Sequence, residues 1–338
     1  MPGRQALCSC HDAERLGAGY FEPATVADSE QPTAFSPVKS NAPRTIPGFG
    51  FVARILLHRY EMRLSVCTLF AILLLPLSAQ SKVLGEMPFQ FHNGLIWLKV
   101  GVTGRSEPLN FLLDSGAGVS AVDLQTACCL RLKLGERQKV QGVSGQGFGY
   151  RVRDLQAVSG GIGLPSSVLA IDLGSVSRCC QQRIDGILGA DFLRDRVVQI
   201  DFTAGRVRLL ENCDVNLANC EVLPIKMCND AFCVPVRVAG NPAQWMRLDT
   251  GCDSALEWVV SGPGTSPREQ ASIGLSHSSR PFIQATVQIG KQHIAVRAGI
   301  HEKQIFAGEA GLLGNGLLTK FRLTIDEPRN RVIFEETH

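Results

Sequence analysis

The sequence predicts an all-β protein, mainly strands with short helices, arranged as two similar lobes related by a pseudo-twofold axis. Three observations lead there: an internal repeat, segments in which apolar and polar residues alternate between turn residues, and helix signals that are few and short.

The repeat carries most weight. "GILGADFLRDRVVQIDFTAGRVRL" (186–209) aligns without a gap on "GLLGNGLLTKFRLTIDEPRNRVIF" (311–334). Gly186, Leu188 and Gly189 meet Gly311, Leu313 and Gly314; Ile200 and Asp201 meet Ile325 and Asp326; Arg206 and Val207 meet Arg331 and Val332. A period of this length indicates a duplicated domain, because solenoid units are far shorter. The 338 residues, 45% hydrophobic and 19% charged, suffice for a sizeable core in about two lobes. A net charge of +3, with no basic stripe, argues against a nucleic-acid or anionic-membrane partner.

Residues 1–61 are rich in Pro, Ser, Ala and Gly without a sustained period and are expected to be disordered or untranslated. Residues 62–81, "MRLSVCTLFAILLLPLSAQS", run from Met and Arg through an apolar stretch, Leu64 to Leu75, to Pro and small residues, as an export signal does. Cleavage after Ala79 or Ser81 fits that pattern. The apolar stretch is shorter than the roughly 20 residues of a spanning helix. The mature chain is therefore expected to be exported, to the periplasm or beyond, with no stable membrane span. An export signal belongs at the start of a precursor, so synthesis is expected to begin at Met62.

The first lobe is expected over residues 88–210. It opens on an alternating strand, "LIWLKVGV", and continues through a polar-poor strand into Asp114, Ser115 and Gly116. "GVSGQGFGYRV" (142–152) is glycine-rich, and "VVQIDFTAGRVRLL" (197–210) reads as a hairpin around Ala-Gly. Residues 211–225 are expected to be a cysteine-containing linker to a second lobe over residues 226–336. That lobe repeats the pattern: "FCVPVRVAG" alternates, "WMRLDTGCDSALEW" runs a mostly apolar strand into Asp249, Thr250 and Gly251, and "ATVQIGKQHIAVRA" (285–298) reads as a hairpin around Gly-Lys. From Asp114 to Gly189 is 75 positions and from Asp249 to Gly314 is 65, so the second copy is the shorter.

Nine of the twelve cysteines follow residue 81, which suits an oxidising compartment. Cys213, Cys220, Cys228 and Cys233 crowd one stretch, where a disulfide staple fits, while Cys128/Cys129 and Cys179/Cys180 are adjacent in sequence. Zinc is disfavoured, because no His flanks these cysteines at ligand spacing and no pair of C-x-x-C elements occurs. The seven histidines are scattered. "GQGFG" (145–149) lacks the spacing and the strand–helix setting of a dinucleotide loop. Asp185 and Asp191 read as turn and helix-cap residues.

A single D-[ST]-G is a weak signal, since an acid in a turn usually caps its own backbone. Two copies at equivalent places in a duplicated unit can meet at the pseudo-twofold axis and set Asp114 beside Asp249. Two carboxylates about 3 Å apart cannot both ionise comfortably and share one proton. The ionised one can take a proton from water while the protonated one donates to a substrate carbonyl oxygen, with neither metal nor cofactor required. Gly116 and Gly251 allow close backbone approach and supply amide donors, and the Ser115 and Thr250 hydroxyls can cross-brace the two loops.

D-[ST]-G followed by two apolar residues and Gly ("ILG" ending at Gly189, "LLG" ending at Gly314) resembles the retropepsin-like branch of the aspartic proteases. The resemblance implies acid-protease lobes with the active site between them, catalytic Asp114 and Asp249, and a peptide or protein substrate cleaved internally. It also implies a monomer, because one chain carries both halves, and support of the loops by Gly189 and Gly314. Asp253 matches an acid that binds substrate backbone in that family. Gly118 stands at its place in the first lobe, which implies an asymmetric cleft. Gly145 and Gly147 fall where a flap lies over the substrate; the second-lobe counterpart falls near Gly274 to Phe282.

The residue after each D-[ST]-G is Ala117 or Cys252, so neither lobe offers a hydroxyl to the outer carboxylate oxygen, and a mildly acidic optimum follows. Cys252 reads as a small packed residue. Two other readings stand beside the endopeptidase: a peptide-binding module on the same scaffold without chemistry, and a disulfide-stabilised envelope protein. Synthesis from Met62 predicts that N-terminal sequencing of the precursor finds Met62 first; a peptide from residues 1–61 would contradict it.

Overall fold

The computed structural model describes residues 81–142, 145–213, 219–260 and 281–337. The leader read over residues 62–81 lies, apart from Ser81, outside them, as do residues 1–61 and most of the expected second flap. The first copy runs β1 (Val83–His92), β2 (Leu95–Val102), β3 (Leu109–Leu113), β4 (Ala121–Asp123), β5 (Leu134–Gly142), β6 (Gly145–Val152), β7 (Ala157–Ser159), β8 (Ile162–Gly163), β9 (Val168–Ile171), β10 (Gly186–Leu188), β11 (Val197–Asp201) and β12 (Arg206–Leu210). The second runs β13 (Cys220–Pro224), β14 (Lys226–Cys228), β15 (Ala231–Val238), β16 (Gln244–Leu248), β17 (Leu256–Val259), β18 (Phe282–Ile289), β19 (Gln292–His301), β20 (Gly311–Leu313), β21 (Phe321–Asp326) and β22 (Arg331–Glu336). The all-β class holds, and the helices among the described residues are short.

Both lobes share one sheet. Its strands lie in the order β13-β22-β21-β11-β12-β1, so that β11 of the first copy pairs antiparallel with β21 of the second. Gln199 lies opposite Thr324, its equivalent in the repeat, and the Gln199 amide donates to the Thr324 hydroxyl at 3.3 Å. The local twofold therefore passes between these two residues. On either side of it Val198 faces Ile325 and Ile200 faces Leu323, all four fully buried. The alternation that marked "VVQIDF" as a strand thus serves the sheet through which the two copies join.

Residues 220–224, within the stretch expected to be linker, form β13, an edge strand of this sheet paired with β22. It occupies in the second copy the place that the start of β1 occupies beside β12 in the first. The four cysteines of this region come as two neighbouring pairs. Cys220 packs on Cys213 in a small cluster with Val197, Leu210 and Ile333, and the Cys228 and Cys233 thiols hydrogen-bond across β14 and β15.

Each lobe then builds the same local frame. In the first, β3 runs parallel to β10, with Leu113 opposite Leu188; in the second, β16 runs parallel to β20, with Leu248 opposite Leu313. In the second lobe β15 pairs with both β16 and β18, which closes the strands β15 to β20 on themselves and leaves β14 at an edge. Strand β2 is buried on both faces: Ile96, Leu98 and Val100 enter the main core, while Leu95 and Trp97 enter a smaller cluster with Leu112, Leu173 and Ile184. That outer cluster is covered from the short helix Gly174–Cys179, whose Val176 packs on it. A second helix the pattern did not foretell, Leu124–Cys129, starts where the Asp123 carboxylate accepts from the Thr126 amide at 3.1 Å. Among the described residues no helix is long and apolar enough to cross a membrane.

Because Leu323 is fully buried where the copies meet, Leu323→Ala is expected to lower unfolding free energy by about 2–5 kcal/mol, read from urea denaturation.

Candidate active site

The strands β3 and β16 end at the local twofold, and each delivers an acid, a hydroxyl residue and a glycine. Ser115 and Thr250 are fully buried and lock the two loops reciprocally. The Ser115 hydroxyl donates to the Leu248 carbonyl at 2.7 Å, and the Thr250 hydroxyl donates to the Leu113 carbonyl at 2.9 Å. Each hydroxyl also accepts from the other residue's amide: Ser115 N donates to Thr250 Oγ1 at 2.9 Å and Thr250 N to Ser115 Oγ at 3.1 Å. Four hydrogen bonds cross the interface with no donor wasted, which only small hydroxyl residues can achieve at this separation.

The cross-brace sets the Asp114 and Asp249 carboxyls in hydrogen-bond contact. Gly116 and Gly251 make the approach possible. A Cβ on Gly116 would stand 2.4 Å from the Asp249 carboxyl carbon, and one on Gly251 would stand 2.4 Å from that of Asp114. Both glycines lend amides to the acid of their own loop, but the loops differ. Asp114 Oδ1 accepts from Gly116 N and from Ala117 N, each at 2.9 Å, whereas Asp249 Oδ1 accepts from Gly251 N alone, at 2.9 Å. No hydroxyl reaches either carboxylate from position 117 or 252, where the sequence has Ala and Cys.

Burial raises the pKa of Asp114, opposed by the amides of Ala117 and Gly116 and by a hydrogen bond from Asp249. Asp249 is raised well above the ordinary carboxyl range, first by burial and then by the negative charge of Asp114. The amide donors favour charge on Asp114 over Asp249. Cys252 touches the Ser254 hydroxyl at 3.1 Å, and burial followed by the Asp249 charge pushes its thiol up, which suits a packed residue and not a thiolate nucleophile.

Gly189 and Gly314 lie behind the loops. Leu188 and Leu313, the residues before them, accept from the amides of Asp114 and Asp249, each at 2.9 Å. Ala190 N then donates to Ala117 O at 2.7 Å and Asn315 N to Cys252 O at 2.8 Å, so the segment threads past the loop at a distance that admits no side chain at 189 or 314. Asp191 is more than a helix-end residue: it accepts from the amide and hydroxyl of Ser120 at 3.0 and 2.6 Å and so ties the threading segment to the loop. Asp185 is likewise not a turn acid but a buried one, accepting from the Asn110 amide, the Thr126 hydroxyl and the Arg183 guanidinium.

Asp253 is exposed and packs against Gly94, in the turn between β1 and β2. The first lobe has Gly118 at that place, and there the acid comes from the opposite side: Asp230, in the turn between β14 and β15, packs against Gly118 and pairs with Arg194 at 3.3 Å. Gly145 and Gly147 sit in the β5–β6 hairpin, not on the loops that hold the acids; residues 143 and 144 at its tip lie outside the described ones. Phe148 beside them is exposed, with the Arg137 guanidinium 3.7 Å from its ring centre.

Three contributors escaped the sequence. Asn315 Nδ2 donates to Thr250 O and to Gly94 O, each at 2.7 Å, bridging the second loop to the first lobe. Arg247 and Glu309 form a buried pair beside the loops. The repeat carried a signal for them, since Arg247 and Glu309 are where it departs from the apolar residues of the first copy. Among the described residues no three His, Cys, Asp or Glu side chains are grouped as metal ligands would be.

Residues 98–192, which span the first acid loop and its threading segment, match the model of a family described as aspartyl protease. No curated protein matches the chain. Among solved structures, the crystal structure of the aspartic proteinase from Irpex lacteus matches with 12% identity and a TM-score of 0.49, over 75% of this chain and 97% of that one. The match falls within the first copy.

Thr250→Val keeps the shape of the cross-brace but leaves Ser115 N and Leu113 O without their buried partner. It is expected to cost about 1–3 kcal/mol, checked by chemical denaturation.

Proposed function

We propose that the protein is an aspartic endopeptidase in which Asp114 and Asp249 hydrolyse a peptide bond through an activated water. The observation that carries the proposal is the unequal donor count on two touching carboxyls: two amides on Asp114 and one on Asp249. It supports distinct roles for two otherwise identical groups. Asp114, ionised, takes a proton from the attacking water; Asp249, protonated, donates to the carbonyl oxygen of the peptide bond. The tetrahedral adduct then collapses as the amine leaves with a proton from Asp114, and Asp249 recovers its own.

One chain supplies both acids, so the working unit is a monomer acting on a peptide or protein segment laid between the lobes. Asp253, beside Gly94, and the β5–β6 hairpin with Gly145 and Gly147 would contact that segment on either side of the acids. The leader read over residues 62–81 would place the activity outside the cytoplasm.

The pH dependence follows from the two shifts. Activity needs Asp114 ionised, so it rises with pH through a value above the ordinary carboxyl range near 4. It also needs Asp249 protonated, so it falls as pH passes the still higher value of the second group. A bell centred in mildly acidic solution is expected; a peak near pH 2 would contradict the assignment. Against a mixed peptide library, Asp114→Asn and Asp249→Asn are each expected to reduce cleavage at least about 10³-fold. A statine-type mimic of the tetrahedral adduct is expected to inhibit the wild type. Peptide binding without cleavage would overturn the enzyme reading in favour of a binding module.

A further inference from the structure

Position 247 lies two residues before Asp249, and its counterpart in the first copy is Leu112, two residues before Asp114. Position 309 lies two residues before Gly311, and its counterpart is Ile184, two residues before Gly186. In the first lobe these places are apolar, and Leu112 and Ile184 share one cluster. In the second they hold Arg247 and Glu309, 2% and 1% exposed. The duplicated frame thus tolerates an apolar pair here, and one lobe has replaced it with buried charge, which stability alone does not favour.

The pair is fully engaged. Arg247 Nε donates to Glu309 Oε2 at 2.8 Å and Nη2 to Oε1 at 2.6 Å, a bidentate fork. Asn229 Nδ2 donates to Glu309 Oε1 at 2.8 Å, and the guanidinium lies 3.6 Å from the Phe306 ring centre. The remaining arm, Nη1, leaves its own lobe and donates to the carbonyl of Gly116 at 2.6 Å. Gly116 is the residue whose amide holds Asp114 and whose missing Cβ admits Asp249. No equivalent arm runs from the first lobe to Gly251, because Leu112 has none to extend.

We propose that Arg247, held by Glu309, is a positioning residue that fixes the first acid loop from the second lobe and sets the field in which Asp114 and Asp249 share their proton. The inference rests on the reading of these two acids as a working pair. The ionisable groups that face them among the described residues are each other, Arg247 and the Cys252 thiol. The Arg247 charge lowers both acids against the burial that raises them.

The test copies the first lobe's own solution into the second: Arg247→Leu with Glu309→Ile. Replacing both members leaves no lone buried charge, so the chain is expected to fold with a melting temperature near that of the wild type. The ¹³C carboxyl titration of Asp114 and Asp249 is expected to move up by about 1 pH unit, because their nearest cation is gone. The pH optimum for peptide cleavage is expected to move with it, with kcat falling about 10-fold and KM little changed. A folded double variant with an unmoved titration would overturn the inference. If the double variant does not fold, Arg247→Lys decides: it keeps the charge but loses the fork, and amide exchange at Gly116 and Ala117 is expected to quicken about 10-fold. Exchange as slow as in the wild type would overturn it. A wild type that cleaves no peptide would defeat the functional reading, while the titration and exchange still decide the role of Arg247.

Discussion

The reciprocal hydrogen bonding of Ser115 and Thr250 is the constraint on which the rest depends. Each hydroxyl spends its single proton on a carbonyl of the other lobe and accepts the other's amide, so neither loop can shift without stranding buried groups. A carboxyl pair is repulsive when both ionise, and nothing in its own chemistry holds it together. The cross-brace holds it instead. Burial raises both acids, the charge of Asp114 raises Asp249 further, and the amides favour charge on Asp114.

That geometry is handed down from the shared sheet. Pairing of β11 with β21 fixes the twofold at Gln199 and Thr324, and the strands β3 and β16 then reach the axis in matching orientation. The threading segments behind the loops add amide-to-carbonyl ties at Leu188 and Leu313, so each acid's backbone is held from behind as well as from across. At the acid loops the copies depart from symmetry in three places: two amide donors against one, Gly118 against Asp253, Leu112 against Arg247. A symmetric frame carrying asymmetric groups is what general acid and base chemistry requires of two identical carboxyls.

The repeat made the frame legible. It located both acid loops, both hydroxyls, both glycines and both threading segments, because duplicated short motifs survive as local sequence. The strands "LIWLKVGV" and "ATVQIGKQHIAVRA" announced themselves by alternation and turn residues. What stayed hidden is non-local. "CEVLP" carries little pattern, yet β13 forms because β22 offers it an edge. Arg247 reads as one polar letter in an apolar strand until Glu309 and Gly116, both far along the chain, are seen around it. Asp230 takes over the contact that Gly118 leaves empty, although nothing near residue 118 hints at it. Asp185 and Asp191 look like turn acids in sequence and are buried clamps in space, because their donors Asn110 and Ser120 lie about seventy residues earlier.

The most direct test of the central claim is neutron diffraction from deuterated crystals of the protein, which locates hydrogen between the two carboxyls. One deuteron in contact with both acids, bonded to Asp249 and pointing at Asp114, is expected. Carboxyl groups standing apart, each with its own solvent and no shared deuteron, would contradict it.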